Sequence, residues 1–145
     1  MKIICITPIK HIEGLYDKLK SYGEIIYEPH ITKEQLKTLL KNSDAEYLLV
    51  GANKQNFILG EDVLKLSNIK VINTISTGTN HIDLNYCENN DIEIWSLKQD
   101  YELIEDIPST SELAFGLMMS LLRFIPKSFH SVKDGNWDYE PYVGH

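Results

Sequence analysis

Short β-branched apolar runs recur along the chain at Lys2 to Ile6, Glu24 to Tyr27, Glu46 to Val50, Lys70 to Thr74 and Ile92 to Trp95, and polar-faced segments separate them. Five strands are the simplest count. The intervening segments carry helix marks: Thr32 with Gln35 as a capping box, Asp62 leading Val63-Leu64, and Asp83 before Leu84-Asn85-Tyr86-Cys87. Parallel strands need crossovers, and those crossovers are right-handed. The alternation therefore predicts an α/β fold, a flavodoxin-like parallel five-stranded sheet with helices on both faces.

The pattern changes after Trp95. Residues Ser96 to Ile107 are polar and acidic and read as a surface loop. Pro108-Ser109-Thr110-Ser111-Glu112 reads as a helix start, with Ser109 as cap and Glu112 reciprocating. The helix is expected to run to Ile125 and stop before Pro126. Leu113, Phe115, Leu117, Met118, Met119, Leu121, Leu122 and Phe124 fall on every face of its 3.6-residue period. A helix that is apolar all round is buried all round. This one calls for a further domain or a second subunit, unless it is the central helix of a compact monomer. Lys127 to His145, with Trp137, Tyr139 and Tyr142, reads as an aromatic arm. The expected division is 1–107 for the sheet domain and 108–145 for a long apolar C-terminal helix and arm that serve interdomain contact or dimerisation.

Composition narrows the function classes. With 145 residues, 43% of them hydrophobic, the chain can bury one core and no second full domain. A formal charge of −7 argues against nucleic acid and against an anionic membrane surface, since both need a cationic footprint. Cys5 and Cys87 have neither disulfide-framework nor zinc spacing, and a reducing cytoplasm is the expected setting. Met1 to Ile6 is too short for a signal peptide or a membrane span, so no targeting segment is expected.

No two of the eight glycines stand at i, i+2, so no Gly-x-Gly-x-x-Gly fingerprint occurs, and no P-loop pattern exists either. The histidines at 11, 30, 81, 130 and 145 lack metal-ligand spacing, and no metal is expected. The most informative stretch is Val71 to Asp83, a β-branched strand running into the turn Thr77-Gly78-Thr79 and a helix start. Open α/β sheets bind ligands outside the carboxyl ends of their strands. Gly78 either lets backbone N–H groups approach an anion or simply permits a left-handed turn. His81 beside it either touches a ligand or satisfies local backbone; Asp83 reads as an N-cap, and Met118-Met119 as packing. A phosphate-acceptor domain would need acidic residues where the first and third strands end in Ile6-Thr7 and Val50-Gly51. A flavodoxin would carry its hydroxyl loop where Thr7-Pro8-Ile9-Lys10 stands.

Taken in order, Leu48-Leu49-Val50-Gly51, Val71 to Asp83, Ile94-Trp95-Ser96 and Ser109-Thr110-Ser111-Glu112 with its apolar helix resemble the D-isomer-specific 2-hydroxyacid dehydrogenases. The resemblance, phosphoglycerate dehydrogenase-like, implies the amino-terminal, substrate-binding portion of an NAD-dependent oxidoreductase that acts on the CH–OH group of a D-2-hydroxy acid. It implies that the backbone amides of Thr77 and Gly78 hold the carboxylate of a small 2-hydroxy or 2-oxo acid, and that Gly51, Ala52 and Asn53 are candidates facing the same cleft; the amide of Thr79 in the same turn is expected to join the first two. Many members place a basic residue and a small hydroxyl residue where this chain has Gly51 and Ala52. The family's NAD-binding Rossmann domain, arginine and histidine–carboxylate pair correspond to positions beyond His145. The chain is thus expected to be a fragment, to hold no catalytic residue, to bind no NAD on its own and to form a homodimer. The alternative is a non-catalytic flavodoxin-like binding or oligomerisation module.

Overall fold

The structure is a computed structural model and describes residues 1–52 and 56–144. Two compact units divide it, Met1–Tyr101 and Glu102–His145. In the first, strands β1 (Lys2–Cys5), β2 (Glu24–Tyr27), β3 (Tyr47–Val50), β4 (Val71–Thr74) and β5 (Glu93–Ser96) form one parallel sheet in the order β2-β1-β3-β4-β5. This is the flavodoxin-like order, and it reverses direction between β1 and β3. Helices α1 (Leu15–Lys20), α2 (Lys33–Lys41), α3 (Glu61–Leu64) and α4 (Leu84–Asn89) make the crossovers.

The period of two along the strands decides where the core lies. Ile4, Leu48, Ile72 and Ile94 stand in register across four strands. The first three are fully buried against Leu36 and Leu40 of α2, Val63 and Leu64 of α3 and Cys87 of α4. The chain steps from β1 to β2 in the direction opposite to its later crossovers, so right-handedness puts α1 on the other face. There Ile3, Tyr47, Leu49, Val71 and Trp95 line a 140 Å³ groove with Leu19 of α1. Helix α2 begins where the sequence marks it. The Thr32 hydroxyl accepts from the Gln35 amide at 3.4 Å, and Gln35 Oε1 accepts from the Thr32 amide at 2.9 Å. Helix α3 opens one residue earlier than the Asp62 mark, with Gly60 as its N-cap.

Helix α5 (Tyr101–Ile104) begins at the last residue of the first unit, and the second unit holds the rest of it with α6 (Ser109–Leu122) and α7 (Ile125–Lys133). Three expectations need correction here. The helix from Ser109 does not reach Ile125: it ends at Leu122, and Phe124 adopts a left-handed conformation, φ 52°. Pro126 then sits in the first turn of α7, where its missing N–H would have been unpaired anyway; the proline starts a helix as well as bounding one. Much of the supposed arm is therefore helical. Second, Ser109 lies inside the helix with Pro108 at the cap, and no Ser109–Glu112 capping box forms; the Ser111 hydroxyl donates to the Pro108 carbonyl at 2.8 Å. Third, the segment after β5 is ordered into a 3₁₀ turn, Leu97–Asp100, followed by α5, because the Ser96 amide donates to Gln99 Oε1 at 2.8 Å.

No residue of α6 is buried, and Leu113, Phe115, Leu117 and Leu121 are all exposed. Among the described residues no helix is long and apolar enough to cross a membrane.

Candidate functional site at the end of the fourth strand

Strands β3 and β4 are neighbours, so the segments after them emerge side by side at the carboxyl edge of the sheet. Gly51 is buried there: a Cβ on it would lie 2.5 Å from the Thr7 hydroxyl, and Ile75 Cγ1 would be 3.9 Å away. Its lack of a side chain lets the ends of β1 and β3 approach. Ala52 is exposed beside it, and Asn53 lies outside the described residues. Thr77 and Gly78 are exposed and Thr79 half-buried. Gly78 does not have a positive φ, and a Cβ on it would meet nothing within 4 Å, so a left-handed turn does not account for it.

The loop is held from both ends. At its start the Ile75 amide donates to the Val50 carbonyl at 3.1 Å, and the Leu97 amide to the Ser76 carbonyl at 3.1 Å. At its far end Leu59 is clamped to two residues. Its amide donates to the His81 carbonyl at 2.9 Å, and its carbonyl accepts from the Asp83 amide at 2.9 Å. The Ile82 amide closes a turn on the Thr79 carbonyl at 2.9 Å, and Asp83 Oδ1 accepts from the Tyr86 amide at 3.0 Å, the N-cap expected of it.

Inside this frame lies a set of side-chain contacts that sequence reasoning missed. Thr74 Oγ1 is 2.9 Å from His81 Nε2 and 2.8 Å from Ser76 Oγ, and the Ser76 hydroxyl donates to the Gly78 carbonyl at 2.7 Å. Thr74 and His81 are both buried. Burial lowers the His81 pKa from its ordinary 6.5, which favours the neutral ring. The His81 ring therefore bonds the Thr74 side chain rather than local backbone. The signal that could have found it is a buried-face threonine ending a strand with a serine two residues on. The amides of Thr77, Gly78 and Thr79, by contrast, donate to no protein acceptor among the described residues.

The dinucleotide that the resemblance implies needs a free helix N-terminus behind a glycine turn. Among the described residues the first unit does not supply one: α3 follows Gly60, but it is only four residues long and opens on the acidic Glu61 and Asp62. The N-terminus of α2 is closed by Thr32 and Gln35, and that of α4 carries the Asp83 carboxylate, which would repel a pyrophosphate. After β1 the turn holds Pro8, which lacks an N–H, and α1 is only six residues long. These residues do not fit NAD. Among the described residues no group of three or more His, Cys, Asp or Glu side chains could hold a metal ion. A 320 Å³ groove lies beside the loop, lined by Asn73, Thr74, Ser96, Gln99 and Asp100 among others.

Residues 4–101 match the family described as D-isomer specific 2-hydroxyacid dehydrogenase, catalytic domain. The chain is 28% identical over 144 residues to D-3-phosphoglycerate dehydrogenase of Methanocaldococcus jannaschii, covering 99% of this chain and 25% of that protein. It is 25% identical to the enzyme of the same name from Archaeoglobus fulgidus, again with 99% and 25% covered. The chain thus spans about a quarter of the length of these curated relatives. Among solved structures, a glyoxylate reductase from Paecilomyes thermophila superposes with a TM-score of 0.80 at 19% identity, covering all of this chain and 45% of that one. D-lactate dehydrogenase from Aquifex aeolicus, complexed with NAD and lactic acid, gives 0.72 at 20% identity, covering all of this chain and 41% of that one. At these identities the structures show a shared fold.

Proposed function

The chain belongs to the D-isomer-specific 2-hydroxyacid dehydrogenase family, and from that premise we propose that its first unit is the part of an NAD-dependent oxidoreductase that holds the carboxylate of a small D-2-hydroxy or 2-oxo acid. The observation that carries this reading is the row of three unengaged amides, Thr77, Gly78 and Thr79, on a loop braced at both ends at the carboxyl edge of a parallel sheet. A cluster of backbone donors receives an anion without a cationic side chain. Relatives named for phosphoglycerate and lactate share 2-hydroxy acid chemistry, which supports the same substrate class here. Gly51 and Ala52 border the far side of the acid. Gly51 acts through close packing, and the exposed Ala52 offers the substrate its backbone.

In this reading the chain binds and orients the acid, and hydride transfer to the nicotinamide requires groups that its described residues do not provide. The 145 residues alone neither turn over a 2-hydroxy acid nor bind NAD. The apolar side chains exposed on α6 favour a homodimer, and the two buried free thiols suit a reducing cytoplasm.

Titration of the ¹⁵N-labelled chain with pyruvate tests the proposal. The largest amide shifts are expected at Thr77, Gly78 and Thr79, and Thr79→Pro, which deletes one donor to a charged acceptor, should weaken binding about 10-fold or more. Shifts concentrated elsewhere, or unchanged affinity in Thr79→Pro, would refute it.

A further inference from the structure

The hydrogen-bond directions in the loop are fixed by elimination. A carbonyl can only accept, so the Ser76 hydroxyl proton is committed to the Gly78 oxygen. Ser76 Oγ must then accept from Thr74 Oγ1, whose own proton is thereby used. Thr74 Oγ1 in turn must accept from His81, which places the ring proton on Nε2. Nδ1 is left as the unprotonated nitrogen, and it is the buried side-chain atom that lacks a partner among the described residues. A second ring proton would put an N–H donor at that position with nothing to receive it.

The end of the chain bears on the ligand. The carbonyl of Gly78 and the amide of Thr79 belong to one trans peptide and point in opposite directions. By drawing the Gly78 oxygen toward Ser76, the chain points the Thr79 N–H away from Ser76. The geometry points to His81, Thr74 and Ser76 as a one-way hydrogen-bonded chain that aims the Thr79 amide at the bound acid, which makes Ser76 and His81 positioning residues for carboxylate recognition. This rests on the carboxylate reading of the loop above, and it adds what sets the loop's affinity.

Two measurements on the full 145-residue chain test it. The first is the tautomer of His81, read from long-range ¹H–¹⁵N correlations: Nε2 should give the protonated-type shift and Nδ1 the unprotonated one. The opposite tautomer would break the chain of donors and overturn the inference. The second is pyruvate affinity in Ser76→Ala, Ser76→Thr and His81→Gln. Ser76 is only half-buried, so Ser76→Ala should fold. It is expected to bind about 3- to 10-fold more weakly, with the shift at Thr79 reduced most. Ser76→Thr, which keeps the hydroxyl, and His81→Gln, which can keep a donor, should recover most of the loss. Equal binding by wild type and Ser76→Ala overturns the positioning role while leaving the carboxylate site standing. Absence of pyruvate-induced shifts at residues 77 to 79 in the wild type overturns both.

Discussion

Gly51→Ala should destabilise the first unit, and the structure says by how much. The added Cβ would lie 2.5 Å from Thr7 Oγ1 and 3.2 Å from Thr7 Cβ, whereas carbon atoms pack comfortably at about 3.5–4.0 Å. Neither strand can retreat easily. The Ile6 amide ties β1 to the Leu49 carbonyl at 2.9 Å, and the Ile75 amide ties β4 to the Val50 carbonyl at 3.1 Å. Thr7 is 2% exposed and has no solvent into which to swing. Overpacking of this kind costs about 1–3 kcal/mol. Replacing glycine stiffens the unfolded chain and returns about 0.4–1 kcal/mol where the backbone tolerates it, as it does here because Gly51 has no positive φ. The clash wins, and a net loss of about 1–2 kcal/mol corresponds to a Tm decrease of roughly 4–16 °C for a unit of this size. Urea unfolding followed by far-UV circular dichroism measures it. Thr7→Ala removes the nearer atom, so the double variant should recover about 1 kcal/mol relative to additivity in a mutant cycle. A Gly51→Ala variant as stable as the parent, or strict additivity with Thr7→Ala, would show that the ends of β1 and β3 are not packed as described.

Four further outcomes follow from other parts of the molecule. Asp83→Ala removes the N-cap of α4 and should cost about 0.5–2 kcal/mol in urea unfolding, with Asp83→Asn close to wild type; equal loss in both would deny the cap. The buried Cys87 thiol is pushed up to about 11 from 9.0 and that of Cys5 is also raised by burial, so iodoacetamide at pH 8.5 should label neither until the protein is unfolded; rapid labelling of native protein would contradict this. Because the folded state then holds the Cys87 proton longer than the unfolded chain does, its contribution to stability should fall as pH rises from about 9 through about 11. Leu117 and Leu121 share one exposed face of α6; if the proposed self-association runs through it, Leu117→Glu with Leu121→Glu should shift the species toward monomer in multi-angle light scattering, and a monodisperse wild-type monomer would refute self-association.

What was legible from sequence follows the range of the interactions. All five strands lie within a residue or so of their apolar runs, because a buried parallel strand is recognisable from its own residues. The caps of α2 and α4 were equally plain, since Thr32 finds Gln35 and Asp83 finds Tyr86 three residues along. Local signals failed where two motifs competed for one residue. Pro126 ends one helix by its neighbour's geometry and begins another by its missing N–H, and only the left-handed Phe124 between them decides which reading applies. Ser109 lies inside α6 with Pro108 at the cap, a boundary that its own residue type does not announce.

The candidate site shows the same limit from the opposite side. The glycine turn, the hydroxyls and His81 are all within ten residues, yet their arrangement depends on Leu59, which belongs to the preceding crossover. Leu59 grips the His81 carbonyl and the Asp83 amide, and so fixes where the chain returns after the loop. With that return fixed, the imidazole reaches Thr74 across the turn; without it, Thr74, Ser76 and His81 would be three unrelated polar residues. The proposed carboxylate site, built on backbone amides, would therefore leave little trace in residue identity at the contact itself. In that proposal the sequence requirement moves to residues behind the contact: a glycine at 51 that lets two strands close, a leucine at 59 that anchors the return, and a serine at 76 that orients one peptide.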